Sequence, residues 1–137
     1  MRRRHRNDAG QATLEAALSL PIVLIALLLI VQVGIVVRDV LALQQAAREG
    51  VRAAAVLGDD DRAEDATRRS AGPLDGERIE IRISPSAGER RTGDAVLVDL
   101  RYVDRLSIPI VSRIVSLDLP LRATATMRAE RGVANGS

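Results

Sequence analysis

Glu15 and Gly10 carry the most pointed chemistry in this chain. Glu15 stands at the lip of an uncharged apolar run over residues 16–37, and Gly10, followed by Gln11, precedes it by five residues. A charged side chain at such a boundary is costly, and by default it is read as functional. A carboxylate held where the dielectric is low needs a positive partner. The question Glu15 poses is therefore which cation meets it. Ahead of Gly10 lie Arg2, Arg3, Arg4, His5 and Arg6, which make residues 1–10 a short basic leader.

No other constellation competes. His5 is the single histidine, which leaves no His-based triad or metal cluster. The chain has no cysteine, so disulfides, zinc–thiolate sites and lipoprotein anchoring are excluded. Ser84, Ser86, Ser107 and Ser112 lack a basic partner of the catalytic kind. Gly88 and Gly93 read as turn glycines without a phosphate-loop pattern. Asp59, Asp60, Asp61, Glu64 and Asp65 lack the alternating ligands and turn glycine of an EF-hand, and read as a solvated helix start. The formal charge of +2 does not point to nucleic acid. Four of the twenty basic residues sit in the first six positions, and the rest of the chain is near neutral and without Phe or Trp. The sequence thus predicts no enzyme, cofactor, metal or small-molecule substrate.

The elements that position Glu15 follow from periodicity. A bilayer core takes about 20 helical residues at ~1.5 Å each, and residues 16–37 suffice. The run is too long for a cleavable secretory signal, whose apolar core is about 7–15 residues, and no small-residue cleavage site closely follows it. The Arg cluster keeps the N-terminus cytoplasmic. Arg38 and Asp39 cancel, so the C-terminal domain is expected to be extracytoplasmic. Residues 11–57 read as one helix, with Pro21 early in it, where neighbouring helices can satisfy the freed carbonyl. Gln32 and Gly34 interrupt the aliphatic wall as a contact face would. Over residues 38–57 an amphipathic stripe of Val40, Leu43, Ala47, Val51 and Ala54 continues that face. Its small side chains let a partner approach closely. Gly58 stops the helix. Residues 58–76 form a charged linker or short helix, acids first and Arg last, capped by one of the aspartates.

The period then changes to two. Ile79, Ile81 and Ile83 give one strand, and Val96, Val98, Leu100 and Tyr102 a second. Leu117, Leu119, Leu121, Ala123, Ala125 and Met127 give a third. Pro120 suits an edge. The apolar connection over residues 106–115 either covers the sheet edge or touches a bilayer or partner. The expected fold is α+β: a long N-terminal transmembrane helix with an amphipathic extension, then a small three-stranded antiparallel sheet packed on helix, in a β-rich domain over residues 77–131. Residues 132–137 form a disordered tail. So small an exported domain without a disulfide must lean on its own helix or on neighbours.

Gly10-Gln11-Ala12-Thr13-Leu14-Glu15 with its aliphatic helix resembles the N-terminus of TadE-like proteins, the pseudopilins of tight-adherence (Flp-type) pili. Residues 46–55 (Ala46-Ala47-Arg48-Glu49-Gly50 onward) and residues 123–130 are similar to that family's later segments. The resemblance implies that a membrane aspartic prepilin peptidase cuts between Gly10 and Gln11. Glu15 would then meet the freed N-terminal amine of a neighbouring subunit. It also implies as partners the bilayer, other pilin-like subunits and inner-membrane assembly proteins. The chain departs from related leaders in having Ala16, not an aromatic, after the glutamate, and its extra sheet domain favours a minor component over a major Flp pilin. A second reading of the same residues is an uncleaved single-pass anchor that presents a small protein-binding domain. In it Asp8 would be the helix N-cap and Gln11 the third residue of a capping box.

Overall fold

The computed structural model describes residues 5–106 and 117–130. Residues 1–4, most of the apolar connection (107–116) and the expected tail lie outside them. The chain divides into two units, one ending at Ile35 and the other beginning at Val36.

The first unit is helical from His5, within α1 (His5–Leu57). Its apolar residues point outward on every side: Leu18, Ile22 and Ile30 are each about two-thirds exposed, and no residue of its most apolar stretch is buried. A helix that is apolar all round and uncovered by its own chain fits a membrane. α1 is the one helix among the described residues long and apolar enough to cross a bilayer. Pro21 lies inside it without interrupting the assignment.

In the second unit α1 continues to Leu57 with a different pattern. Leu43, Ala46, Ala47, Gly50, Val51 and Ala54 are buried, and Arg48, Glu49 and Arg52 are exposed. That is a single apolar stripe at helical spacing. Gly58, at φ +66°, donates its N–H to Ala54 O at 3.2 Å and turns the chain, a left-handed stop that glycine adopts without strain. Asp59 then caps α2 (Asp60–Arg69), its carboxylate accepting from Arg62 N at 3.3 Å. Asp60 and Asp61 lie in the first turn of α2, and Arg68 and Arg69 in the last, each favoured by the helix dipole. A 3-10 turn (Gly76–Arg78) leads into the sheet.

The sheet is a meander in the order β1 (Glu80–Ser84), β2 (Ala95–Leu106), β3 (Leu117–Arg128), with both pairings antiparallel. Val96, Val98, Leu100 and Tyr102 of β2 are buried, as are Leu121 and Ala123 of β3. These side chains, with α1, Ala63 and Ala71, form one core. Ile79 is buried just before β1. Ile81 and Ile83 are only half-buried, because β1 is short and at an edge. Met127 shares the core-facing alternation but stays 40% exposed near the end of β3. Pro120 sits on β3, the opposite edge, where its missing N–H costs no ladder bond. The fold is therefore the expected α+β arrangement of a long apolar helix and a three-stranded antiparallel sheet.

Candidate functional site

The N-terminal motif lies wholly on α1. Over the described residues α1 runs from His5, so Gly10 and Gln11 lie within it. The reason is local: Arg6 and Ala9 are good helix formers, and an interior glycine costs only about 1 kcal/mol. Gly10 and Gln11 are exposed, and a Cβ at Gly10 would meet nothing within 4 Å. Glu15 is one helical turn beyond Gln11 and is also exposed. Its backbone carbonyl accepts from Ser19 Oγ at 2.8 Å. Among the described residues its carboxylate makes no ion pair.

The expected contact face divides between the two units. Gln32 is half-buried and Gly34 exposed, with open space where a Cβ would stand. Leu43, Ala47, Val51 and Ala54 are in the core, and Val40 packs against it. The close approach that these small residues permit is made by the chain's own α2 and β2. Its tightest point is Gly50. A Cβ there would run into Thr67 Oγ1 of α2 and lie 3.6 Å from Val98 Cγ1 of β2. Thr67 is fully buried, with its hydroxyl donating to Ala63 O at 2.8 Å. The sequence shows Gly50 as one more residue of an Ala-rich helix. Only the crossing of α2 makes it necessary.

Arg90 was hidden from the sequence altogether. It lies in the stretch between β1 and β2 yet is completely buried. Its Nη1 donates to Ala54 O at 2.8 Å. Its Nη2 donates to Asp60 Oδ1 at 2.6 Å and to Pro85 O at 2.9 Å. Ala87 N donates to the other Asp60 oxygen at 2.8 Å. Ala55 O accepts from Glu130 N at 2.9 Å, just past β3. Ala55 O, a carbonyl that α1 leaves unpaired at its C-terminus, is thus satisfied from the β region, and Ala54 O, which already accepts from Gly58 N, gains a second donor there. The acidic run has structural work as well: Asp59 caps α2 and Asp60 holds Arg90. No periodic signal marks Arg90, since a buried arginine in a loop shares its pattern with any exposed one.

The outward face of the sheet carries charge. Asp99 is buried there, its Oδ1 and Oδ2 accepting from Arg122 Nε and Nη2, each at 2.8 Å. Thr124 Oγ1 adds a contact at 3.4 Å. The bidentate Arg122 hydrogen bonds hold the Asp99 carboxyl below its ordinary pKa against the opposing effect of burial, and Asp99 in turn raises that of Arg122. Arg101 approaches Asp99 only to 3.9 Å. Beside them lies an open concavity of about 520 Å³, lined by Arg78, Glu80, Arg101, Val103, Pro120 and Arg122. Arg78 stacks 5.4 Å from the centroid of the Tyr102 ring and donates to Val103 O at 2.9 Å.

Residues 10–52 match the family model described as TadE-like protein. No curated protein and no solved structure matches the chain. The match begins at the glycine before Gln11, takes in Glu15 and the whole apolar run, and ends on the amphipathic part of α1. The resembling stretch over residues 123–130 lies outside it. From Gly10 to Arg52 this chain is similar to TadE-like proteins.

Proposed function

We propose that this protein is a minor pilin or pseudopilin of a tight-adherence (Flp-type) pilus or a related secretion system, and that its role is structural and not catalytic. The observation that carries this reading is the TadE-like match starting at Gly10 and running through an apolar, uncovered helix. The chain inserts with its N-terminus in the cytoplasm, and its β-rich domain lies outside. A prepilin peptidase removes residues 1–10, and Gln11 becomes the new N-terminus. Glu15, which makes no ion pair among the described residues, then pairs with the amine of a neighbouring pilin-like subunit. Cleavage creates the cation that Glu15 needs, so processing and assembly become coupled.

The test is Glu15→Ala in the native host, with membrane insertion and pilus assembly measured separately. The reading expects normal insertion and impaired assembly. A variant that assembles fully would remove the proposed role of Glu15, as expected of a simple anchor.

A further inference from the structure

Gly10 stands inside α1, where a glycine weakens the helix. Neither of the usual structural reasons for a glycine applies to it. A Cβ at Gly10 would meet nothing within 4 Å, so no close neighbour among the described residues requires its small size. Gly58, Gly72 and Gly93 have positive φ, and Gly10 is not among them. Gly50 is the contrast on the same helix, since Thr67 leaves no room there for a Cβ. What Gly10 contributes therefore belongs to a conformation other than the helical one.

The processing reading, on which this inference rests, puts the scissile bond between Gly10 and Gln11. Both residues are helical. In a helix the Gly10 carbonyl accepts from the N–H of Leu14, and the adjoining turns surround it. Hydrolysis adds water to that carbonyl carbon and breaks its bond to the Gln11 nitrogen. A carboxylate is left on Gly10 and an amine on Gln11. A protease reaches that carbon only where the helix has opened locally. The sequence makes such opening easy on the leader side. His5, Asn7, Asp8 and Gly10 are weak helix formers, whereas Gln11, Ala12, Leu14 and Glu15 are strong ones. Opening can spread as far as Glu15 while the freed backbone groups still find water. From Ala16 onward the run is apolar, and an unpaired backbone group in lipid is costly.

We propose that residues 7–10 are an unwinding point: the uncleaved chain is helical across the scissile bond, and the peptidase cuts a minor, open state whose unwinding stops at the lipid boundary. Helix–coil exchange takes about 0.1–1 μs. Enzyme turnover runs at about 1–1,000 per second. Opening is therefore at equilibrium during cleavage, and the rate of cleavage follows the population of the open state. The helix strength of the leader then sets the rate of processing, through residues that need not touch the peptidase.

The test uses the full uncleaved chain in detergent micelles and the prepilin peptidase of its host. Two quantities are measured: kcat/KM for cleavage and, without the peptidase, hydrogen exchange at the backbone amides of residues 11–14. The variants keep Gly10, Gln11 and every charge. Ala9→Gly should raise kcat/KM about fivefold and lower amide protection by a similar factor. Asn7→Ala/Asp8→Glu should lower kcat/KM about threefold and raise protection alike. The triple change Asn7→Ala/Asp8→Glu/Ala9→Gly should return both close to wild type. Equal rates in all variants would overturn the inference. So would rates that change while protection does not, as direct contact of these residues with the peptidase would give. A wild-type chain that the peptidase never cuts would overturn the processing reading and this inference together, whereas a chain that is cut at rates indifferent to its helix strength overturns the inference alone.

Discussion

The two stretches of α1 are built from much the same residues and meet opposite fates. Residues 16–35 are mostly Leu, Ile, Val and Ala, on every side, and most of their large side chains stay exposed. Residues 43–55 confine their apolar groups to one stripe, set Arg48, Glu49 and Arg52 opposite, and bury the stripe against α2 and the sheet. Helix propensity hardly differs between them, since Ala and Leu dominate both. The difference lies in symmetry and size. An all-round apolar helix finds its solvent in lipid, where van der Waals packing and small residues, not hydrophobic burial, decide association. A one-sided helix with Ala46, Ala47, Gly50 and Ala54 lets a second helix and a sheet come close in water.

The largest test of this contrast is Arg90→Ala. It leaves Asp60 without its buried partner and takes from Ala54 O, at the C-terminus of α1, one of its two donors. Breaking one side of a buried pair costs about 3–5 kcal/mol. We expect the thermal transition of the second unit to collapse and protease resistance with it, while the membrane stretch stays helical by circular dichroism in detergent. Equal loss in both stretches would mean that the units are not separate.

A sharper comparison sets the glycines of the same helix against each other. Gly50→Ala must displace Thr67 Oγ1 in a filled core and should destabilise by about 1–3 kcal/mol. Adding Thr67→Ala should recover part of that loss, since the two sites share one contact. Gly34→Ala meets open space and should be neutral or slightly favourable, by up to about 1 kcal/mol. Thermal melts of the three variants would read the signs directly. A Gly34→Ala variant that melts early would reveal a close neighbour at that position in the membrane.

The smallest expected effect concerns pH and lies on the far side of the sheet. Asp99 has a folded pKa below its unfolded value of about 3.9 because Arg122 binds its charged form. Its contribution is therefore present above about pH 4 and is lost as pH falls through the lower, folded value. Asp99→Asn should lower stability at neutral pH and flatten the acid limb of the stability profile. An unchanged acid limb would show that the pair does nothing for folding.

Much of this was legible in the sequence. The apolar run, the amphipathic stripe, the stop at Gly58 and the alternation of Val96 to Tyr102 follow from periods of 3.6 and 2. The meander order agrees with short connections between neighbouring strands. Gly10, Gln11 and Glu15 stood out because a carboxylate beside an apolar run is anomalous. What stayed hidden depends on contacts between distant residues. Arg90 reaches Ala54 across 36 positions, and Gly50 matters only because Thr67 crosses it. Gly10 resembles a boundary in the sequence, and its helical cost is small enough for the described part of α1 to reach back to His5.

The central claim is that Gly10 and Gln11 are a processing site and Glu15 its assembly counterpart. The most direct measurement is the intact mass and N-terminal sequence of the protein isolated from its native membrane. The account predicts a chain beginning at Gln11, or at its cyclised pyroglutamate form. A chain that still carries residues 2–10, in a host with active prepilin peptidase, would contradict it and leave a single-pass anchor in its place.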